Sequence, residues 1–203
     1  MIKKYADAIT SILLEENIIT EDNWEIYQFG IERIIRNVAF ILVISLISTI
    51  FNVWLETVGI LIGFVPLRKI AGGYHSETLL RCSLLTFFIY IFNMIIISVI
   101  KNDISIQAYV ILCLFAMILI FMFAPVDNKN FLFTISMERK RRKYGLAIVL
   151  IITLISSYFV FIQGKVNVLS LSTMMGVLTV SVSIFIGSIK RRREKDEEIT
   201  KSA

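Results

Sequence analysis

Five stretches of this chain run for 18 or more residues without a charged side chain: Asn37 to Leu55, Ser83 to Ile100, Ile104 to Ala124, Tyr144 to Gln163 and Val166 to Ile189. A helix of about 20 apolar residues crosses the hydrocarbon core of a bilayer. Lipid offers no hydrogen-bond partners to a bare backbone, so such runs are predicted to be helices rather than open strands. The charged residues, 18% of the chain against roughly 25% in soluble domains, are bunched between the runs. The fold class that follows is an all-α polytopic membrane protein, with the lipid bilayer as its first partner.

A sixth apolar run, Thr57 to Leu67, has only eleven residues before Arg68 and Lys69. As a helix it covers about 16 Å, roughly half the hydrocarbon thickness. It reads as a short, partly immersed helix, or as one lengthened past Ile70 with both charges reaching for the interface. About six membrane-embedded helices, one of them short, are therefore expected.

Charge placement sets the topology. Arg33 and Arg36 precede the first span, and Arg68, Lys69 and Arg81 flank a glycine-rich loop. Lys129 and Arg139 to Lys143 fill the segment after Pro125, and Lys190 to Arg193 follow the last span. The alternate connections carry only Glu56, then Lys101 and Asp103, then Lys165. By the positive-inside rule both termini, the glycine-rich loop and the basic loop are expected to be cytoplasmic. That parity needs six crossings, so the short run has to return the chain, which suggests a thinned or water-filled region beside the glycines.

The first 36 residues do not span. Ile2, Tyr5, Ile9, Ile12 and Leu13 recur at helical spacing. Thr20-Glu21-Asp22 reads as a helix start with acids in its first turn, and Trp24, Tyr27, Ile31 and Ile34 form a second stripe running into the first span. Two cytoplasmic amphipathic helices lying on the membrane surface fit this pattern.

Several chemistries are excluded. Two cysteines without a CxxC do not make a disulfide scaffold, and a single histidine, His75, cannot supply a zinc site that needs two imidazoles. No metal or other cofactor is expected. No P-loop, dinucleotide fingerprint or nucleic-acid module is present, and the net charge of +5 is carried by topology-setting runs, so no nucleic-acid partner is expected. The five uncharged runs also lack the intramembrane ionisable groups usual in ion-coupled transport.

The segment Arg68-Lys69-Ile70-Ala71-Gly72-Gly73-Tyr74-His75-Ser76-Glu77-Thr78-Leu79-Leu80-Arg81-Cys82 stands apart. A cysteine attacks as the thiolate, and a nearby imidazole can take its proton and return it to a leaving group. On one unbroken helix, positions 75 and 82 would lie about 10.5 Å apart along the axis, too far for a hydrogen bond. Gly72 and Gly73 allow a fold-back that brings His75 to Cys82, with Ser76-Glu77 as a helix start. Arg68 and Arg81 could support a thiolate or an oxyanion. Cys113, inside an apolar run, reads as packing. The run Arg139 to Lys143 reads first as a topology anchor and second as a docking site for acidic groups.

Arg68, the Gly72-Gly73 pair, His75 and Cys82 match in spacing and setting the R…GG.H……C pattern of the accessory gene regulator B (AgrB) family. The chain resembles that family over nearly its whole length, and Ala124-Pro125…Lys129 is similar to a second family motif, departing from it where Asn130-Phe131 follow. The resemblance implies a bacterial cell-membrane cysteine endopeptidase of a single domain, residues 1–203. Residues 1–36 would be the surface helices, and 37–189 the membrane helices with a catalytic loop at 66–82 and a basic loop at 125–143. Residues 190–203 would be a cytoplasmic basic tail. Cys82 would be the nucleophile and His75 its base, with Arg68, Gly72 and Gly73 in support. The substrate would be an AgrD-like quorum-sensing propeptide, cut through a thioester and cyclised to a thiolactone or lactone. Its acidic tail would meet Lys129, Arg139, Lys140, Arg141, Arg142 and Lys143. The resemblance also implies a homodimer. A peptide transporter or exporter, and a non-catalytic signalling scaffold, are the competing readings.

Overall fold

The computed structural model describes residues 2–73, 79–126 and 135–202, with side chains at 2–73, 80–126 and 139–193. The described residues form seven α-helices and one short 3-10 turn. These are α1 (Ile2–Glu15), the turn Glu21–Asn23, α2 (Trp24–Phe51), α3 (Trp54–Ala71), α4 (Leu79–Ile100), α5 (Ile106–Phe123), α6 (Ile135–Gln163) and α7 (Val168–Ser202). Five helices are long and apolar enough to cross a membrane: α2, α4, α5, α6 and α7.

The sixth apolar run takes the longer of its two expected forms, a helix that continues past Ile70. Within α3 it is extended at both ends to 18 residues, about 27 Å long. The start of α3 meets the end of α4, where Lys101 Nζ lies 3.2 Å from the buried Glu56 carboxylate. The end of α3 meets the start of α4, where the Arg68 guanidinium lies within electrostatic reach of the Cys82 side chain. Hence α3 runs antiparallel to α4. Of the charges that bound the run in the sequence, Glu56 pairs with Lys101 and Arg68 with Gly72 and Ser183, while Lys69 is exposed.

Close helix approach explains the glycines of this region. In lipid, helices associate by packing rather than by expulsion of water, and small residues let backbones meet. A methyl group on Gly59 would lie 2.6 Å from Ser172 Cβ, one on Gly63 would overlap the Thr173 carbonyl oxygen, and one on Gly176 would lie 2.5 Å from the Ile60 carbonyl oxygen. This small-residue seam seats α3 against α7. The latter forms the centre of the bundle, with Leu171, Met174, Val177, Val180 and Ile184 buried along it.

Some buried hydroxyls and amides pair across helices, while others, such as Thr153 and Ser181, bond back to their own helix. Ser48 of α2, Thr57 of α3 and Tyr90 of α4 form a triangle with oxygen separations of 2.7, 2.8 and 3.3 Å. Asn93 of α4 exchanges hydrogen bonds with Thr179 of α7 at 3.0 and 3.2 Å. The outward faces remain apolar, for example Leu42, Leu46 and Ile50 on α2.

Two expected boundaries move. The second amphipathic stripe and the first span are one continuous helix, α2, because nothing between Trp24 and Phe51 breaks helical geometry. The basic run Arg139–Lys143 lies in the first turns of α6 rather than in a loop, consistent with the good helix propensity of arginine and lysine. The N-terminal α1 is amphipathic as expected. It buries Ala6 and Thr10, Gln28 of α2 donates a hydrogen bond to its Asp7, and Tyr5, Ile9 and Ile12 remain exposed.

Candidate functional site

The site begins where α3 stops. After Ala71 the chain passes through Gly72 at φ +77° and Gly73 at φ +127°, a backbone region that side chains resist. Both positions are also crowded. A Cβ on Gly72 would lie 2.8 Å from the Val126 carbonyl oxygen, and one on Gly73 would overlap the Arg68 guanidinium and lie 2.9 Å from Ser183 Oγ. Val126 N–H donates to the Ala71 carbonyl at 3.2 Å, which fastens the turn to the segment leaving α5. Helix α5 ends at Phe123, just before Pro125.

Arg68 organises this corner. Its Nη1 donates to the Gly72 carbonyl at 3.2 Å and to Ser183 Oγ of α7 at 2.6 Å. Burial costs the guanidinium its hydration. Cys82 lies within electrostatic reach of it. Cys82 sits in the first turns of α4, neither fully buried nor exposed, with its carbonyl accepting from Thr86 Oγ1 at 2.8 Å. Reactive cysteines occupy partly open, electropositive surroundings, and Cys82 has both features. Arg81 beside it is exposed.

Of the expected site residues, the structure brings Arg68, Gly72, Gly73 and Cys82 together. His75 and Lys129 lie outside the described residues. Cys113 is buried in the bundle, its sulfur 3.2 Å from Met174 Sδ, in keeping with packing.

The basic residues of α6 adjoin the same corner. Arg141 Nη1 donates to the Ile70 carbonyl at 3.5 Å, at the C-terminal end of α3. Arg142 Nη2 donates to the Phe121 carbonyl at 3.0 Å, at the C-terminal end of α5, and its guanidinium carbon lies 5.5 Å from the Phe121 ring centre. Both therefore neutralise the negative ends of helix dipoles. Gly145 lets α6 approach α3, and a methyl group on it would lie 3.7 Å from Ala71 Cβ, an ordinary contact. Arg139, Lys140 and Lys143 remain exposed beside this anchor. Among the described residues, no group of three His, Cys, Asp or Glu side chains could hold a metal ion.

Sequence reasoning missed Ser183 and the seam glycines. Ser183 lies 115 residues from Arg68 in an apolar helix with several other serines, and no local pattern marks it. Gly59 and Gly63 do carry a signal, the small-xxx-small spacing in an apolar helix.

No solved structure matches this chain. An AgrB-like protein of Clostridium perfringens strain SM101 is 29% identical over 196 residues, covering 88% of this chain and 92% of the relative. A second from C. perfringens strain 13 is 28% identical over the same shares, and one from Listeria innocua is 26% identical over 193 residues, 89% of this chain and 90% of the relative. The family described as accessory gene regulator B matches residues 6–186. With the fold and the turn-and-cysteine corner in place, these matches put the chain in the accessory gene regulator B family, whose members are peptidase-like membrane proteins of quorum-sensing processing.

Proposed function

We propose that the chain is a cysteine endopeptidase that removes the C-terminal tail of an AgrD-like propeptide and promotes its cyclisation. One observation supports the reading: the Arg68 guanidinium donates to the Gly72 carbonyl at the Gly72-Gly73 turn and lies within electrostatic reach of Cys82, so one charged group neighbours both described ends of the segment that bears His75. In the sequence His75 stands two residues after Gly73 and seven before Cys82.

In this mechanism His75 takes the Cys82 thiol proton, and the sulfur attacks the carbonyl joining signal to tail. The C–N bond breaks, His75 gives the proton to the departing amine, and the signal peptide stays as a thioester on Cys82. A thiol or hydroxyl within the peptide then attacks that thioester, closing the ring and restoring the Cys82 thiol. Arg68 offers positive charge where the thiolate and the oxyanion form. Arg139, Lys140 and Lys143, with Lys129, attract the acidic tail, while Arg141 and Arg142 also hold α6 against α3 and α5. The peptide's amphipathic leader lies beside α1 and the start of α2. The site and both termini face the cytoplasm, and the working unit is a homodimer.

The test is propeptide cleavage by full-length protein in nanodiscs. Cys82→Ala and His75→Ala each abolish cleavage while the proteins still insert. Normal processing by Cys82→Ala protein would end the proposal and favour a scaffold. Peptide flux that survives this change would favour a transporter.

A further inference from the structure

We propose that Ser183 of α7 is a positioning residue that holds the Arg68 guanidinium against Cys82. The inference rests on the reading of Cys82 as the nucleophile and adds to it a group from the opposite end of the chain.

The geometry is specific. Arg68 has a long side chain with several free rotations, and ordering it costs conformational entropy. Among the described residues its Nη1 donates to two oxygens. The Gly72 carbonyl, at 3.2 Å, belongs to the turn itself, so it would follow the turn wherever it moved. Ser183 Oγ, at 2.6 Å, belongs to the central helix and is the shorter contact. It therefore refers the guanidinium to the rigid body of the bundle. Gly73 completes the arrangement. A Cβ there would meet the guanidinium and Ser183 Oγ together, so the missing side chain leaves the space in which this contact forms. The seam of Gly59, Gly63 and Gly176 fixes α7 against α3, which keeps Ser183 in register with the end of α3. The chain thus places a cation at the sulfur by three agreements: a bare turn, a helix seam and one hydroxyl.

A positioned cation beside a thiolate has a signature that simple instability lacks. It favours attack on an anionic reagent over a neutral one of similar size. The experiment uses full-length protein carrying Cys113→Ala, so that Cys82 is the one thiol, in nanodiscs. Rates of alkylation by iodoacetate and by iodoacetamide are measured at one pH, and their ratio is compared. Arg68→Gln lowers the ratio about threefold to tenfold, as expected for one charge lost at contact range in a partly screened site. Ser183→Ala lowers it in the same direction by about twofold or more, and Ser183→Thr, which keeps the hydroxyl, restores it. In the Arg68→Gln background, Ser183→Ala has no further effect, because both changes remove one interaction. A wild-type ratio in Ser183→Ala, or a Ser183→Ala effect that persists without Arg68, overturns the inference. The assay needs no propeptide. If the ratios follow this pattern and Cys82→Ala protein still processes propeptide, the endopeptidase reading falls while the role of Ser183 stands.

Discussion

Replacing Gly73 by alanine tests the corner at its most crowded point. At φ +127° an alanine carries strain of about 1–3 kcal/mol. Its methyl would also overlap the Arg68 guanidinium, the end of a flexible side chain that can swing away. Swinging away forfeits the hydrogen bond to Ser183, and a hydrogen bond to a charged group is worth about 1.5–3 kcal/mol. Together these place the working arrangement about 3–5 kcal/mol higher, a slowing of about a hundredfold to a few thousandfold at 1.4 kcal/mol per decade. The loss is local, so the bundle should unfold at nearly the wild-type temperature. Two other glycines serve as controls. Gly164 shares a positive φ of +63° but has open space around it, so Gly164→Ala meets strain alone, in the α6–α7 loop. Gly30 has open space and an ordinary φ within α2, so Gly30→Ala should be neutral or slightly stabilising. The assay is single-turnover cleavage of a propeptide in nanodiscs, with thermal unfolding alongside. Gly73→Ala protein that cleaves within about threefold of wild type would refute the reasoning, because the guanidinium would then have no need of its present place.

Other perturbations separate the scaffold from the site. Gly63→Ala forces α3 from the Thr173 carbonyl and should lower thermal stability by about 2–4 kcal/mol, whereas Gly145→Ala, with its nearest neighbour at 3.7 Å, should change it little. Lys101→Ala leaves the buried Glu56 carboxylate without its partner and should destabilise more than the double change Lys101→Ala with Glu56→Gln; equal losses in a denaturation series would show that the pair is uncoupled. Cys113→Ala should cost about 1 kcal/mol of stability and leave propeptide cleavage intact; lost cleavage at full stability would make that thiol part of the chemistry.

The legible parts of this chain are those where one physical demand acts along the sequence. Five spans show because lipid excludes charge from a whole run. The Gly72-Gly73 turn shows because paired glycines before a polar segment mark unusual backbone angles. The full length of α3 is hidden for the converse reason. A rule that ends a span at a charge cannot see that Glu56 meets Lys101 or that Arg68 meets Ser183, since each pairing is made only by the fold. The basic run of α6 can be located but not divided into roles, and only packing shows that Arg141 and Arg142 bind helix-end carbonyls while Arg139, Lys140 and Lys143 stay exposed. Ser183 is illegible because a lone hydroxyl in an apolar helix has many equivalent neighbours, and its use is decided by a contact across 115 residues.

The central claim is that the Cys82 sulfur becomes acylated by the peptide it cuts. Acid quenching of a single-turnover reaction followed by intact mass measurement tests it. The predicted result is a gain on the protein equal to the propeptide less its released tail, mapped to Cys82, removed by hydroxylamine and absent from Cys82→Ala protein. Efficient cleavage with no acyl group on Cys82 at any time in the turnover, or with the acyl group on another residue, would contradict it.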